Sequence, residues 1–221
     1  MLEALKDEVC EQNHELPRNN LVVGSGGNVS ARDPETGFVV IKPSGIKFAH
    51  LAPDTMVVVN LEGNVIEGTM KPSVDTGIHL YIYRHRDDVF GIAHTHSPYA
   101  SSFAARGERI PAILTPITHI LGRDVPCSQY ATPGEVDTGR AVLETAEGGS
   151  AVLVKAHGVF TMGKSATEAT NIAIYLEEAA KTTHLAMIHG PVEEIPQEEI
   201  DRCYNWFQKN YGQSGQKNVK S

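Results

Sequence analysis

The chain has 221 residues, of which 41% are hydrophobic and 21% charged, ordinary values for a globular protein that can bury its own core. A formal net charge of −8 argues against nucleic acid and against an anionic membrane surface as partners. No apolar stretch reaches the roughly 18 residues that a membrane helix needs, and three scattered cysteines argue against a disulfide framework. The acidic first turns are not typical of a signal peptide, so we expect a cytoplasmic protein.

The first half of the chain predicts one helix, two strands, a second helix and then a third strand. The first helix spans about Leu2 to Leu16 and is expected to end at Pro17. A helix with Ser73 as its N-cap follows the second strand. The strands are predicted where β-branched residues cluster between Gly, Pro or Asp, at 38–41, 56–60 and 89–96.

The second half predicts more helix than strand. The capping box "TPGE" at 132–135 opens a helix to about Ala146, and 150–156 is a buried strand. A second capping box, Ser165 with Glu168, opens a long helix that ends at Gly190.

A last helix spans about Pro196 to Asn210. Because strands occur in runs and outnumber the long helices, we expect an α/β protein with a mixed sheet flanked by helices. One domain is expected over residues 1–213, followed by a disordered polar tail over 214–221.

Two histidines, His94 and His96, lie two positions apart at the end of a predicted strand. Alternation along a strand sends such residues to one face about 7 Å apart, so both imidazoles can reach one ion. His157, at the end of the strand 150–156, is a third candidate, and three imidazoles leave a coordination position open, as in catalytic zinc sites. The alternatives are a chance His-x-His pair and a hydrogen-bonded core histidine at position 157. His79 lies four residues after Asp75 on one helical face and is expected to orient it.

The glycine loop "GSGGNVS" at 24–30 resembles a phosphate cradle, but it has neither P-loop nor dinucleotide-binding spacing. Its glycines let backbone N–H groups converge on an anion, and Asn28 adds a side-chain donor. The pattern Lys-Pro-Ser occurs twice, at 42–44 and 71–73, and each copy could offer a hydroxyl and a turn amide. For each stretch alone, the alternative is an ordinary turn.

The ordered set "GGNVS", "IKPSG", "KPSVDT", "AHTHS", "IPA", "VPC" and "AHGVF" resembles the class II aldolase and L-ribulose-5-phosphate 4-epimerase family over nearly the whole chain. The epimerase branch is the closer, through "LPRNNLV", "VVIKPSG", the final "YGQ" and Asp75, where aldolases of this family usually carry Glu. The resemblance implies a class II aldolase-like sandwich with a central, mostly antiparallel sheet. It also implies a homotetramer with C4 symmetry and active sites at subunit interfaces.

The resemblance also implies roles for individual residues. His94, His96 and His157 match ligands of a divalent metal, Zn²⁺ first, with Mn²⁺ or Co²⁺ as alternatives. Asp75 matches a further ligand or an acid/base. Tyr211 matches a catalytic tyrosine that reaches into the adjacent subunit's site, although it could equally be the last apolar anchor of its helix. The positions that hold substrate phosphate or neighbouring oxygens are matched by Ser25, Gly27, Asn28, Lys42, Ser44, Gly45 and Ser73.

Three positions depart from the family pattern. Val74 stands where a second serine is expected, which removes a hydroxyl from the phosphate cradle. His119 stands where epimerases carry an aspartate acid/base, and histidine is a residue type that can transfer protons near neutral pH. Thr115 stands where aldolases of the family carry an aromatic residue. Neither branch is matched fully.

The resemblance implies a metal-dependent epimerase of a phosphorylated ketose, an L-ribulose 5-phosphate 4-epimerase type of enzyme acting by retro-aldol cleavage of C3–C4. The first alternative is a class II aldolase of the L-fuculose-1-phosphate type. The others are a sugar-acid phosphate decarboxylase and a non-enzymatic, adducin-like interaction module.

Overall fold

The computed structural model describes residues 1–132 and 136–211, and their centre is one seven-stranded sheet. The strands are β1 (Asn28–Arg32), β2 (Val39–Ile41), β3 (Val57–Val59), β4 (Val65–Glu67), β5 (Gly91–Thr95), β6 (Ala151–Val154) and β7 (Gly158–Gly163). Their order across the sheet is β4-β3-β2-β1-β5-β7-β6, and every neighbouring pair is antiparallel. The fold class that the resemblance implied, an α/β protein with a mostly antiparallel central sheet, is confirmed, whereas the mixed sheet expected from the order of the elements is wrong, since none of the described strand pairs is parallel.

Helices cover both faces of the sheet. They are α1 (Glu3–Arg18), α2 (Thr76–His85), α3 (Pro98–Arg106), α4 (Thr115–Leu121), α5 (Val136–Ala146), α6 (Ala166–Ile188) and α7 (Gln197–Asn210). Because successive strand residues point to opposite sides, Val40 packs with α1 and α6 on one face, whereas its neighbour Val39 packs with α2 and α5 on the other. This is why the β-branched runs in β2 and β3 are buried throughout.

Two predicted helix boundaries are wrong. Helix α1 does not end at Pro17 but continues through it to Arg18, because a proline in the last turn disrupts little of the helix beyond it. Ser73 is not the N-cap of α2, which begins at Thr76 with Asp75 at the N-cap position. The side chain of Asp75 makes no capping hydrogen bond, which leaves it available for other contacts.

The capping box at the start of α6 is confirmed on its serine side, because the Ser165 hydroxyl oxygen accepts a hydrogen bond from the Glu168 amide over 3.1 Å. The Glu168 carboxylate accepts instead from the amide of Lys164, one residue earlier than the motif predicts. The other predicted box falls on residues 132–135, of which 133–135 lie outside the described residues, as does the predicted tail.

Among the described helices, none has both the length and the apolar character needed to cross a bilayer.

Gly91 at the start of β5 lies directly against the start of α6, since an added Cβ would overlap the Ser165 carbonyl group. We expect Gly91→Ala to lower the free energy of unfolding by about 2–3 kcal/mol, because neither backbone segment can yield. Gly77→Ala is the matched control: its added methyl meets nothing within 4 Å and should stabilise α2 by up to about 1 kcal/mol. Urea denaturation of both variants checks this; equal stabilities would contradict the close contact.

Candidate active site

Three histidine rings come together at one end of the sheet. His94 is in β5, His96 directly follows that strand, and His157 lies in the turn between β6 and β7 rather than at a strand end as predicted. Strand pairing brings the two segments together, with Thr95 opposite Val159. The ring centroids of His94 lie 4.7 Å from His96 and 4.8 Å from His157, and one nitrogen from each ring lies within 4.8 Å of the others.

The donor set fits a divalent transition metal. The Nε2 atoms of His94 and His96 lie 3.0 Å apart, close to the about 3.3 Å separating two imidazole nitrogens on one tetrahedral zinc. The Nδ1–H of His94 donates to the Val159 carbonyl over 2.9 Å, so its Nε2 lone pair faces the other rings. Ligand histidines are commonly held in this way by a backbone carbonyl. Nδ1 of His157 is buried without a partner among the described residues.

All three rings are held in the neutral form that a metal requires. Burial lowers the pKa of His94 to about 3, and it also lowers the pKa values of His96 and His157. A neutral imidazole keeps the lone pair that binds a cation, so metal does not have to displace a proton at neutral pH.

This burial predicts an unusual pH dependence of zinc affinity. Because lowered pKa values delay proton competition, affinity should stay nearly constant from pH 8 to about 6 and fall only below that. Competition against a chromophoric chelator at each pH measures it. The free peptide of residues 91–100 is the control, since its histidines should protonate near pH 6.5. A fall in the protein's affinity centred at pH 6.5 or above would contradict the predicted burial effect.

Two glycines allow the backbone to approach these rings. A Cβ on Gly158 would overlap the Thr95 carbonyl oxygen and lie 2.8 Å from the His96 ring. Gly27, with φ +77°, would bring a Cβ within 2.7 Å of the His94 carbonyl oxygen. Gly158 was not among the predicted site residues, although a glycine directly after His157 was the signal that could have found it.

Asp75 points its carboxylate into the same site from the N-terminus of α2. The Nδ2 of Asn28 donates to its Oδ2 over 2.8 Å, and Asn28 is the cross-strand partner of His94. Burial alone would raise the pKa of Asp75, but attraction to the imidazoles of His94 and His79, in the acidic range where these rings are protonated, and the Asn28 amide together lower it. The carboxylate is therefore ionised and held in place beside the histidines.

The prediction that His79 orients Asp75 is wrong. The His79 ring is fully buried, and its Nδ1 is hydrogen-bonded to the Ser30 hydroxyl over 2.7 Å. That hydroxyl is also hydrogen-bonded to the Tyr83 hydroxyl over 2.9 Å. His79 thus belongs to a polar network behind the site, and the side chain that holds Asp75 is Asn28.

The two Lys-Pro-Ser turns pair with each other to form one wall of the site. The Ser44 amide donates to the Lys71 carbonyl over 2.9 Å, and the Ser73 amide donates to the Lys42 carbonyl over 3.0 Å. Lys42 is 2% exposed, and its ammonium group donates to the Ser25 carbonyl over 3.0 Å. Burial lowers the pKa of Lys42, which makes its ammonium a strong donor toward an anion that enters the pocket.

These elements enclose a pocket of about 440 Å³, and every predicted site residue except two lines it. The pocket has one carboxylate, Asp75, and one lysine, Lys42, among its described lining. Val74 also lines it and is 71% exposed, so an apolar side chain stands at the mouth where the family pattern has a serine. The lining residues are Ser25, Gly26, Gly27, Asn28, Lys42, Ser44, Gly45, Ser73, Val74, Asp75, His94, His96 and His157.

The two exceptions, His119 and Tyr211, lie together elsewhere. The Phe207 ring stacks on both, with centroids 4.8 Å from His119 and 4.2 Å from Tyr211. Tyr211 borders a separate groove, which is also lined by Gly163. Gly163 pairs with Gly91, and Gly91 lies at the end of β5 opposite to the histidines. Within one chain these two residues therefore do not reach the histidine site.

Comparison with known proteins shows which family the chain resembles. The model of the class II aldolase and adducin N-terminal domain family matches residues 7–184. An L-fuculose 1-phosphate aldolase structure is 34% identical, with a TM-score of 0.89 over 93% of this chain and 96% of that one. The L-fuculose-1-phosphate aldolase of Thermus thermophilus is 26% identical, with a TM-score of 0.73 over 86% and 98%. YgbL of Escherichia coli, of aldolase/epimerase/decarboxylase type, is 25% identical, with a TM-score of 0.81 over 91% and 98%.

The chain belongs to the class II aldolase and adducin N-terminal domain family, as the resemblance predicted. The predicted class of enzyme, a metal-dependent class II aldolase or epimerase, is likewise confirmed at that level.

Proposed function

We propose that this protein makes and breaks the C3–C4 bond of a phosphorylated ketose, with a divalent metal held by His94, His96 and His157. The observation that carries the proposal is the meeting of three imidazoles with the buried carboxylate of Asp75 in one pocket. Zinc suits three imidazoles with an open position, and Mn²⁺ or Co²⁺ are the alternatives. The bound ion would polarise the ketose carbonyl and stabilise the negative charge that bond cleavage leaves behind.

The other pocket residues are proposed to transfer the proton and to bind the phosphate. Asp75 is placed to take or return the proton that the carbon–carbon step requires, and Asn28 keeps its carboxylate pointed inward. The Lys42 ammonium, the hydroxyls of Ser25, Ser44 and Ser73 and the amides of the glycine loop are proposed to hold the phosphate. Binding one end of the substrate there orients its reacting carbons toward the histidines.

Between the two reactions, we place the aldolase of the L-fuculose-1-phosphate type first. Among the described residues of one chain, the pocket is lined by a single carboxylate, that of Asp75, which suits cleavage followed by release of both fragments. Two of the similar structures are aldolases of this kind, at 34% and 26% identity. This order reverses the expectation from sequence motifs alone, which placed the epimerase first.

The epimerase is the second candidate, because His119 and Tyr211 both stack on the Phe207 ring and so belong to one aromatic cluster. Inverting C4 of L-ribulose 5-phosphate requires proton transfer on both faces of the aldehyde fragment, and a neighbouring subunit of a C4 homotetramer could supply these two groups. Mixing His96→Ala subunits with Tyr211→Phe subunits tests this assembly. If the sites are interfacial and Tyr211 is essential, hybrids of the two impaired variants should regain activity.

The deciding experiment incubates the zinc-loaded protein with L-fuculose 1-phosphate and with L-ribulose 5-phosphate. Triose phosphate plus lactaldehyde from the first substrate supports the aldolase; xylulose 5-phosphate from the second, without free dihydroxyacetone, supports the epimerase. Release of CO₂ from a sugar-acid phosphate would instead support a decarboxylase. A purified protein that takes up no stoichiometric Zn²⁺, Mn²⁺ or Co²⁺ would overturn all three and favour an interaction module.

A cytoplasmic location agrees with three unpaired cysteines and remains part of the proposal.

A further inference from the structure

We propose that Phe160 is a positioning residue, whose ring fixes the plane of the His94 imidazole and favours its metal-bound form. This inference rests on the proposed metal-dependent function, but it concerns a side chain that reaches neither substrate nor metal. Phe160 is fully buried in β7 and does not line the substrate pocket.

Strand register places the two rings against each other. Phe160 is the cross-strand partner of His94, so both side chains leave the sheet on the same face. Their centroids are 4.2 Å apart and their planes differ by 14°, which is a parallel stack. The rings of His79 and His157 meet Phe160 at steep angles of 71° and 75°, at 5.9 Å and 6.3 Å.

The stack complements the hydrogen bond that holds the same imidazole. The Val159 carbonyl binds Nδ1 within the ring plane of His94, which selects the ring's rotation and its tautomer. Phe160 covers the face of the ring, which opposes tilting out of that plane. Two consecutive residues of β7 therefore restrain His94 in perpendicular directions and leave its Nε2 aimed at the shared site.

The stack should also distinguish free from metal-bound His94. A neutral imidazole gains little electrostatic energy from the electron-rich face of a benzene ring, whereas an imidazole bound to a divalent cation carries positive charge and is attracted to it. The attraction is larger away from water, and Phe160 is 0% exposed. The expected contribution to metal affinity is about 3- to 30-fold.

The test compares Phe160→Leu with Phe103→Leu, a matched truncation of another buried phenylalanine, in α3. Zinc affinity is measured by chelator competition, and unfolding is measured with and without zinc. Phe160→Leu should weaken zinc binding about 3- to 30-fold, whereas Phe103→Leu should leave it unchanged while lowering stability equally in both forms. Equal zinc affinity for wild type and Phe160→Leu would overturn the inference.

Fluorinated phenylalanines at position 160 change the electrostatics of the ring face while keeping the ring's shape. They provide the test if Phe160→Leu fails to fold. Each added fluorine weakens the negative face of the ring with little change in size, so zinc affinity should fall stepwise along the series. A flat series would overturn the electrostatic part of the proposal. Failure of the proposed function can be distinguished from failure of this inference. If the metal-dependent function is wrong, the wild-type protein itself binds no zinc, and this result does not depend on any variant.

Discussion

His96→Ala is expected to lose stoichiometric zinc and to reduce turnover by at least about a thousandfold. The substitution leaves two imidazoles for the metal. It removes the ligand nitrogen of His96, which lies 3.0 Å from Nε2 of His94. Of the three rings His96 is the most exposed, whereas His94 is fully buried, so removing the His96 ring should disturb packing least. The loss should therefore appear in metal content and rate rather than in folding.

Metal analysis after dialysis and steady-state rates with added zinc measure this effect. His50→Ala is the matched control, because His50 is an exposed histidine outside the pocket and should keep both zinc and activity. Unfolding in urea confirms that the His96 variant is folded. A folded His96→Ala protein with wild-type turnover would remove this ring from the proposed ligand set.

Four of the seven strands and most helices could be predicted because their signals are local. The runs Val39–Ile41 and Val57–Val59 are β-branched throughout, and the Ser165 capping box marks the start of α6. Strands β1, β4 and β7 were missed; β1 was missed because its "NVSAR" is half polar, and those polar groups are buried for reasons that lie outside the strand. Burial of Asn28 is tolerated because its side chain is hydrogen-bonded to Asp75, 47 positions away. Burial of Ser30 is tolerated because its hydroxyl is hydrogen-bonded to His79, 49 positions away.

The candidate site shows the same limit. His94 and His96 could be paired from alternation along one strand, but only the β5–β7 register places His157 beside them. Local spacing suggested that His79 supports Asp75, because helical neighbours four apart share a face. The His79 ring is instead hydrogen-bonded to the Ser30 side chain in β1. His119 and Tyr211 could not be placed from sequence, because their stack depends on how α4 packs against α7.

Asp75→Asn is expected to lower turnover by about 10²- to 10⁴-fold while the protein stays folded. An amide keeps the shape of the side chain and can still accept the hydrogen bond from Asn28 through its oxygen. It cannot take a proton at neutral pH, so the proton transfer proposed for the carbon–carbon step has no base. Zinc affinity should fall less than turnover, since the three imidazoles remain.

Asn28→Ala provides the complementary variant, because it keeps the carboxylate of Asp75 and removes the hydrogen bond that helps lower its pKa. A group with a lowered pKa is ionised down to more acidic pH, so losing that bond should move the acid limb of the rate profile upward in pH. Because the ordinary aspartate pKa is 3.8 and that of Asp75 is lower, rates are measured with zinc in excess down to about pH 3.5; they should show this shift for Asn28→Ala and a low rate at every pH for Asp75→Asn. Wild-type turnover in Asp75→Asn would mean that the proton is carried by another group, and His119 of a neighbouring subunit would then be the next to replace.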